Sequence, residues 1–203
     1  MCTTKKIKTN MKQTLEQEYT AAKRKSAKPM LWVSMISMTM MFAGLTSAYV
    51  VSRKRYDWVS FDLPQAFYIS TLLIVLSSIT FMFAKFFIKK DNRTATTGTL
   101  IATFLLGIGF VLFQFQGFEE LFSAGYVFAG EQSTVKSSFI YGITLAHIVH
   151  VIAGLIVLSV LIFNHLNKKY SSKDTLGLEL GAIFWHFVDI LWIYLFLFFY
   201  FIR

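Results

Sequence analysis

Charge, cysteine and proline are all scarce in this sequence. Of its 203 residues, 15% are charged and 55% are hydrophobic, whereas soluble domains average about 25% charged residues. The composition therefore predicts an integral membrane protein. The one cysteine, Cys2, excludes an internal disulfide and a metal site built from paired cysteines. The two prolines, Pro29 and Pro64, stand at the start of apolar runs, and we expect both at the first turn of a helix.

Five apolar runs are long enough to cross a bilayer as helices, which takes about 20 residues each. They cover residues 29–51, 64–88, 97–122, 137–163 and 178–202. The short connections between them predict an all-α polytopic membrane bundle whose consecutive helices are antiparallel neighbours. Residues 1–28 form a polar N-terminal arm with eight basic and two acidic residues, either a short surface helix or a disordered segment.

The basic residues are distributed unevenly between the two ends of these spans. Fifteen fall in the N-terminal arm or near the second and fourth connections, and five fall on the opposite side. Basic residues favour the cytoplasm, so we expect a cytoplasmic N-terminus and an outside C-terminus. This distribution accounts for the net charge of +9 without a nucleic-acid partner. Arg53, Lys54 and Arg55 lie on the sparse side and either bind a lipid phosphate or anchor the chain at the interface.

A polar stripe interrupts the fifth apolar run. Trp185, Asp189 and Trp192 are spaced by four and then three residues, so they share one face of a helix. His186 lies three residues before Asp189, and the two side chains are placed to pair. An aspartate near the centre of a membrane helix costs about 2.5–3.5 kcal/mol. Because lipid tails cannot satisfy these groups, the stripe should point at other helices, at a headgroup or at a partner protein.

The fourth run contains His147 and His150, which also share a face. A histidine pair in a membrane helix suggests haem or metal ligation, with Asp189 or Glu119 as a third ligand. Few other histidines are available, however, and a two-haem carrier needs histidines on facing helices. Interhelical hydrogen bonding or contact with a lipid headgroup is the favoured interpretation. Glu119 stands near the outer end of the third run, where it either faces water or joins the polar groups.

An ordered set of motifs, one in each of the five apolar runs, resembles that of subunit III of the haem–copper terminal oxidases. Residues 185–192 read WHFVDILW and match the family's W-H-F-V-D-x-x-W at every fixed position. Residues 144–151 read TLAHIVHV, similar to T-G-x-H-x-x-H-V, and residues 116–119 read QGFE, similar to Q-x-Y-E. Residues 37–42 read SMTMMF, which resembles S-E-V-M-F-F, and residues 72–80 resemble the family's L-L-x-x-S-S-x-T region. The resemblance covers residues 30–203.

Two departures from the family are visible. The common form has seven spans, and this chain would lack the first two. The membrane glutamate of S-E-V-M-F-F, which the family associates with proton uptake, is replaced by Met38. Because methionine cannot ionise, that role cannot be carried over to this protein.

The resemblance implies a non-catalytic subunit without redox centres of its own. Haems and copper would reside in the partner subunits I and II, and a small subunit IV or a larger respiratory supercomplex is a further candidate partner. Such a subunit stabilises subunit I, holds structural phospholipid and lies in a bacterial inner membrane, the mitochondrial inner membrane being the second option. We expect the lipid cleft or its polar wall to contain Trp185, His186, Asp189, Trp192, His147, His150, Glu119 and Arg53.

Three other functions remain open at this point. The first alternative is subunit III of a quinol oxidase, which commonly has five spans, or of a nitric-oxide reductase. A stand-alone haem electron carrier would use His147, His150 and His186. A small transporter is disfavoured because the sequence shows no broken helices and no internal repeat.

Overall fold

The computed structural model is an assembly of five long helices. It describes residues 2–55, 58, 61–90, 92–130, 133–167 and 176–202, with side chains in the first helix described from position 25 onward and at positions 18 and 22. The helices are α1 (Cys2–Ser52), α2 (Gln65–Lys89), α3 (Arg93–Ser123), α4 (Val135–Leu166) and α5 (Leu176–Phe201). Each contains a stretch long and apolar enough to cross a membrane. The predicted all-α, five-span fold is confirmed, and the chain is a multi-pass membrane protein.

Polar caps outside the apolar runs determine where the helices begin. Asn92 accepts a hydrogen bond from the Ala95 amide at 3.2 Å, so α3 begins at Arg93, four residues before the predicted start. Thr134 and Ser137 form a capping box, which moves the start of α4 to Val135. These capping residues are polar and lie outside the apolar runs. Helices predicted from the apolar runs alone therefore begin a few residues too late.

The first helix is much longer than its membrane-spanning part. It contains 51 residues, which corresponds to a length of about 75 Å. The prediction that Pro29 opens a helix is wrong, because Pro29 lies inside α1 and the membrane span begins at Lys25. The preceding 28 residues include seven lysines, three alanines, two glutamines and two glutamates. These good helix formers let the helix start early and continue through Pro29, which has no amide hydrogen to donate.

The arm boundary at residue 28 and the membrane orientation stay predictions. Lys168, Lys169, Lys173 and Arg203 contributed to the charge count but lie outside the described residues. The helical backbone of the arm is described, whereas most of its side chains are not.

Helices α2, α3, α4 and α5 pack in a closed ring, and α1 lies outside it against α4 and α5. Contacts near both ends of α5 join it to α1. The Lys28 ammonium lies 3.1 Å from Glu179 near the start of α5, and the Tyr49 hydroxyl donates to the Ile202 carbonyl at 3.2 Å near its end. Because both contacts join like ends, α1 and α5 run in the same direction.

A lysine is buried where α4 begins. Lys136 is 1% exposed, its ammonium donates to the Phe61 carbonyl at 2.9 Å, and it lies 4.4 Å from the centroid of the Phe61 ring. Phe61 in turn stacks on Tyr126 with centroids 4.0 Å apart. The loop before α2 is thereby held against the α3–α4 connection, and this end of the ring is closed by aromatic side chains.

Candidate functional site

The polar stripe of α5 points into the helix ring. Trp185 and Asp189 are each 2% exposed, and Trp192 is fully buried. The spacing of four and three residues therefore places all three on one inward face, as the periodicity predicts. The face meets hydroxyl-bearing residues of α2 and small or aromatic residues of α3 and α4.

Trp185 lies in a slot between two glycines. A Cβ atom added at Gly107 of α3 would lie 2.8 Å from Cη2 of the indole, and one added at Gly154 of α4 would lie 3.1 Å from its Cε3. The indole nitrogen donates to the Ser77 hydroxyl of α2 at 3.1 Å. One side chain of α5 thus contacts all three other helices of the ring at one level of the membrane.

Trp192 occupies a second layer, two turns further along α5. Its indole nitrogen donates to the Thr71 hydroxyl at 3.0 Å. Its ring lies 5.3 Å from that of Phe110 and 5.1 Å from that of His147, measured between centroids. Phe67 packs edge-on against it at 5.8 Å. Aromatic packing of this kind adds about 0.5–1.5 kcal/mol per pair beyond area burial.

His186 and Asp189 do not pair with each other. The Ser78 hydroxyl of α2 lies 2.6 Å from Nδ1 of His186, and neither carboxyl oxygen of Asp189 meets hydrogen-bond geometry with any described group. The Ser78 hydroxyl nevertheless lies beside Asp189. The expected pair is therefore wrong, because α2 supplies a hydroxyl between the two and because Asp189 points inward whereas His186 stays half-buried at the edge of the ring.

The two histidines of α4 are both engaged in packing. His147 is fully buried, and its Nε2 donates to the Val188 carbonyl of α5 at 3.1 Å. Nδ1 of the half-buried His150 lies 2.7 Å from the Ala146 carbonyl of its own helix. Both rings contact Phe42 of α1. In the described part of the chain, no group of three or more His, Cys, Asp or Glu is arranged to hold a metal ion.

The remaining predicted residues lie away from this interior. Glu119 and Arg53 are exposed, whereas Met38, which stands at the family's glutamate position, is 9% exposed within the apolar core. The interior cluster therefore unites Trp185, Asp189, Trp192 and His147, with His186 and His150 at its edge. Whether the predicted residues bind lipid stays a proposal.

Hydroxyl-bearing residues of α2 supply the polar partners of α5. Thr71 and Ser78 are seven residues apart, as are Ser70 and Ser77. A separation of seven residues is two helical turns, so each pair lies on one face. This repeat of hydroxyls inside an apolar run indicates that α2 has a polar face to bury, and the structure shows that α5 is its partner.

Comparison with known proteins agrees with this arrangement. The family model described as Cytochrome c oxidase subunit III matches residues 5–203. The chain belongs to the cytochrome c oxidase subunit III family. Its relatives include cytochrome c oxidase subunit 3 of Drosophila yakuba, which is 33% identical over 68% of this chain and 51% of that protein. The probable cytochrome c oxidase subunit 3 of Rickettsia felis is 34% identical over 69% of this chain and 48% of that protein.

Another relative is named as a ubiquinol oxidase subunit, and this chain covers a larger share of it than of the D. yakuba protein. The cytochrome bo(3) ubiquinol oxidase subunit 3 of Pseudomonas putida is 28% identical over 81% of this chain and 80% of that protein. The chain thus spans about half the length of the cytochrome c oxidase subunit 3 of D. yakuba and most of the ubiquinol oxidase subunit. Members of the subunit III family are one component of an oxidase complex, which implies partner subunits, and the family has no catalytic metal site of its own.

Proposed function

We propose that this chain is a non-catalytic subunit III of a proton-pumping haem–copper terminal oxidase in a bacterial inner membrane. In this role it packs beside subunit I, stabilises it and holds phospholipid, while subunits I and II carry the haems and copper. The observation that supports the proposal most strongly is the buried face of α5. Its two indole nitrogens meet hydroxyls of α2, and His147 of α4 meets the α5 backbone.

The electron donor divides the proposal into two candidates. Cytochrome c is the donor named by most relatives, such as that of D. yakuba. The ubiquinol oxidase subunit of P. putida is also a relative of this chain, which makes a quinol oxidase the second candidate. The donor is bound by another subunit, so the partner decides between them.

Affinity purification through a tag on this chain tests the proposal. We expect gentle detergent extraction to recover a haem–copper subunit I together with a subunit II. Copper-ligating cysteines in the recovered subunit II would indicate cytochrome c as the donor, and their absence would indicate a quinol. Recovery of this chain without any haem–copper subunit would contradict the proposal.

A groove between α1, α4 and α5 is the best candidate for the phospholipid site. It has a volume of 450 Å³ and is lined mainly by small and apolar side chains, among them Leu31, Ser34, Ala153 and Phe184. The Lys28–Glu179 ion pair lies next to it. A phospholipid would place an acyl chain in the groove and its phosphate near the basic residues that precede it on α1.

Further candidate lipid contacts are the half-buried His150 and His186 and the exposed Arg53 and Glu119. The buried cluster of α5 is the polar wall behind them.

Filling this groove should displace the lipid. Ser34 lines the groove, whereas the neighbouring Val33 does not and is 67% exposed. We expect Ser34→Phe to reduce phospholipid retained by the purified complex in native mass spectrometry, and Val33→Phe to leave it unchanged. Equal lipid content in the two variants would count against the groove.

A further inference from the structure

Among the buried polar atoms that have no hydrogen-bond partner in the described part of the chain, three belong to the facing helices α3 and α4. They are Oε1 of Gln114, Oγ1 of Thr144 and Nδ1 of His147. All three residues have no exposed surface. A buried polar group without a partner costs about 1–3 kcal/mol, so three on facing helices indicate a shared partner.

The hydrogen-bonding role of each atom follows from its neighbours. The Ser70 hydroxyl donates to the Phe67 carbonyl at 3.0 Å, so it can only accept from the Gln114 amide, 2.8 Å away. The amide nitrogen of Gln114 therefore faces Ser70, and its oxygen is the free acceptor. Nε2 of His147 faces the Val188 carbonyl at 3.1 Å and must carry the proton, which leaves Nδ1 of the neutral ring as an acceptor. Thr144 has a hydroxyl proton to donate.

The three atoms lie at one level of the ring. The Phe110 and His147 rings pack with centroids 5.8 Å apart, which aligns α3 with α4 at this point. Gln114 is about one turn beyond Phe110, and Thr144 is about one turn before His147. Because the two helices are antiparallel, both displacements lead toward the same membrane surface. Helical side chains lean toward the N-terminus, so Gln114 leans back toward the Phe110 layer and His147 leans toward Thr144.

Two acceptors and one donor are the complement of a single water molecule. We propose that an ordered water occupies this position, donates to Oε1 of Gln114 and Nδ1 of His147, and accepts from the Thr144 hydroxyl. Three hydrogen bonds are the usual number for a buried water. The water links α3 to α4 and, through the Val188 carbonyl, to α5. This internal hydration site goes beyond the proposed function and depends on neither the donor nor the partner subunits.

Thr144→Val tests the proposal, because valine keeps the shape of threonine and removes only the hydroxyl. If the water is present, the substitution removes one of its three bonds, and we expect a roughly fivefold decrease in the folded-to-unfolded ratio of the full chain in detergent. If the hydroxyl has no partner, the same substitution increases that ratio. Thr39→Val is the control, because Thr39 is an exposed residue whose hydroxyl donates to the Met35 carbonyl of its own helix.

A cryo-electron microscopy map of the oxidase complex at a resolution that shows waters gives the second readout. We expect a density peak about 2.7–3.2 Å from Oε1 of Gln114 and Nδ1 of His147. Thr144→Ser, which keeps the hydroxyl, should retain this peak. A map without density at this position, or a Thr144→Val chain at least as stable as the original, would overturn the proposal.

Discussion

Replacement of Trp192 by alanine is expected to destabilise the chain by about 3–5 kcal/mol, the range for deleting a large aromatic side chain from a packed core. Trp192 is fully buried and contacts the rings of Phe67, Phe110 and His147. Its removal also leaves the Thr71 hydroxyl without the indole donor. The Trp192 indole contacts each of the other three helices of the ring, α2, α3 and α4. Its loss should therefore loosen the packing of all four helices.

Trp32→Ala is the matched control for this substitution. Trp32 lies on α1 and is 56% exposed, so its truncation leaves no cavity within the chain. Unfolding in detergent with increasing denaturant measures both variants, and recovery of the oxidase complex through a tag on a partner subunit measures assembly. We expect Trp192→Ala to lower both stability and recovered complex, and Trp32→Ala to retain the stability of the original chain. Equal stability of the two variants would show that the Trp192 layer contributes little.

Substitution of Gly107 by alanine should destabilise the chain by about 1–3 kcal/mol through overpacking. The new methyl group would lie 2.8 Å from the Trp185 ring and 2.9 Å from Leu155. Leu155 can change rotamer, whereas the indole is held by Gly154 on its other side and by its bond to Ser77. The backbone of α3 therefore has to move away from α5.

Two further variants make this prediction specific. No atom lies within 4 Å of a Cβ added at Gly44, so Gly44→Ala should be neutral or slightly stabilising through helix propensity. Trp185→Phe introduced with Gly107→Ala should recover part of the lost stability, because the smaller ring vacates the space that the methyl group needs. Chemical unfolding of the single and double variants measures this coupling. Additive effects, with no recovery, would contradict the slot geometry.

Hydropathy predicts the number of spans because a backbone in lipid must satisfy its own hydrogen bonds, which leaves helices as the available structure here. Periodicity likewise predicts that Trp185, Asp189 and Trp192 share a face. It cannot predict which helix that face meets. The hydroxyls of Ser77, Ser78 and Thr71 lie more than 100 positions away in the chain, and local spacing carries no information about such a pairing.

The sequence interpretation failed in two ways: it missed contacts between helices, and it misplaced the start of α1. The pair expected between His186 and Asp189 is local, and the structure replaces it with the Ser78 hydroxyl from α2. The slots at Gly107 and Gly154 depend on an indole from another helix, so neither glycine stands out in its own run. Pro29 was assigned to a helix start by its usual preference, and the strong helix formers before it override that preference.

The central claim is that the intramembrane histidines serve packing in a subunit without redox centres. The ratio of haem to this chain, measured by optical absorption on the singly purified chain and on the tagged complex, tests it most directly. We expect a haem spectrum in the complex and none in this chain once it is separated from its partners. A haem band that remains with the isolated chain in stoichiometric amount, and that is lost in His147→Leu, would contradict it.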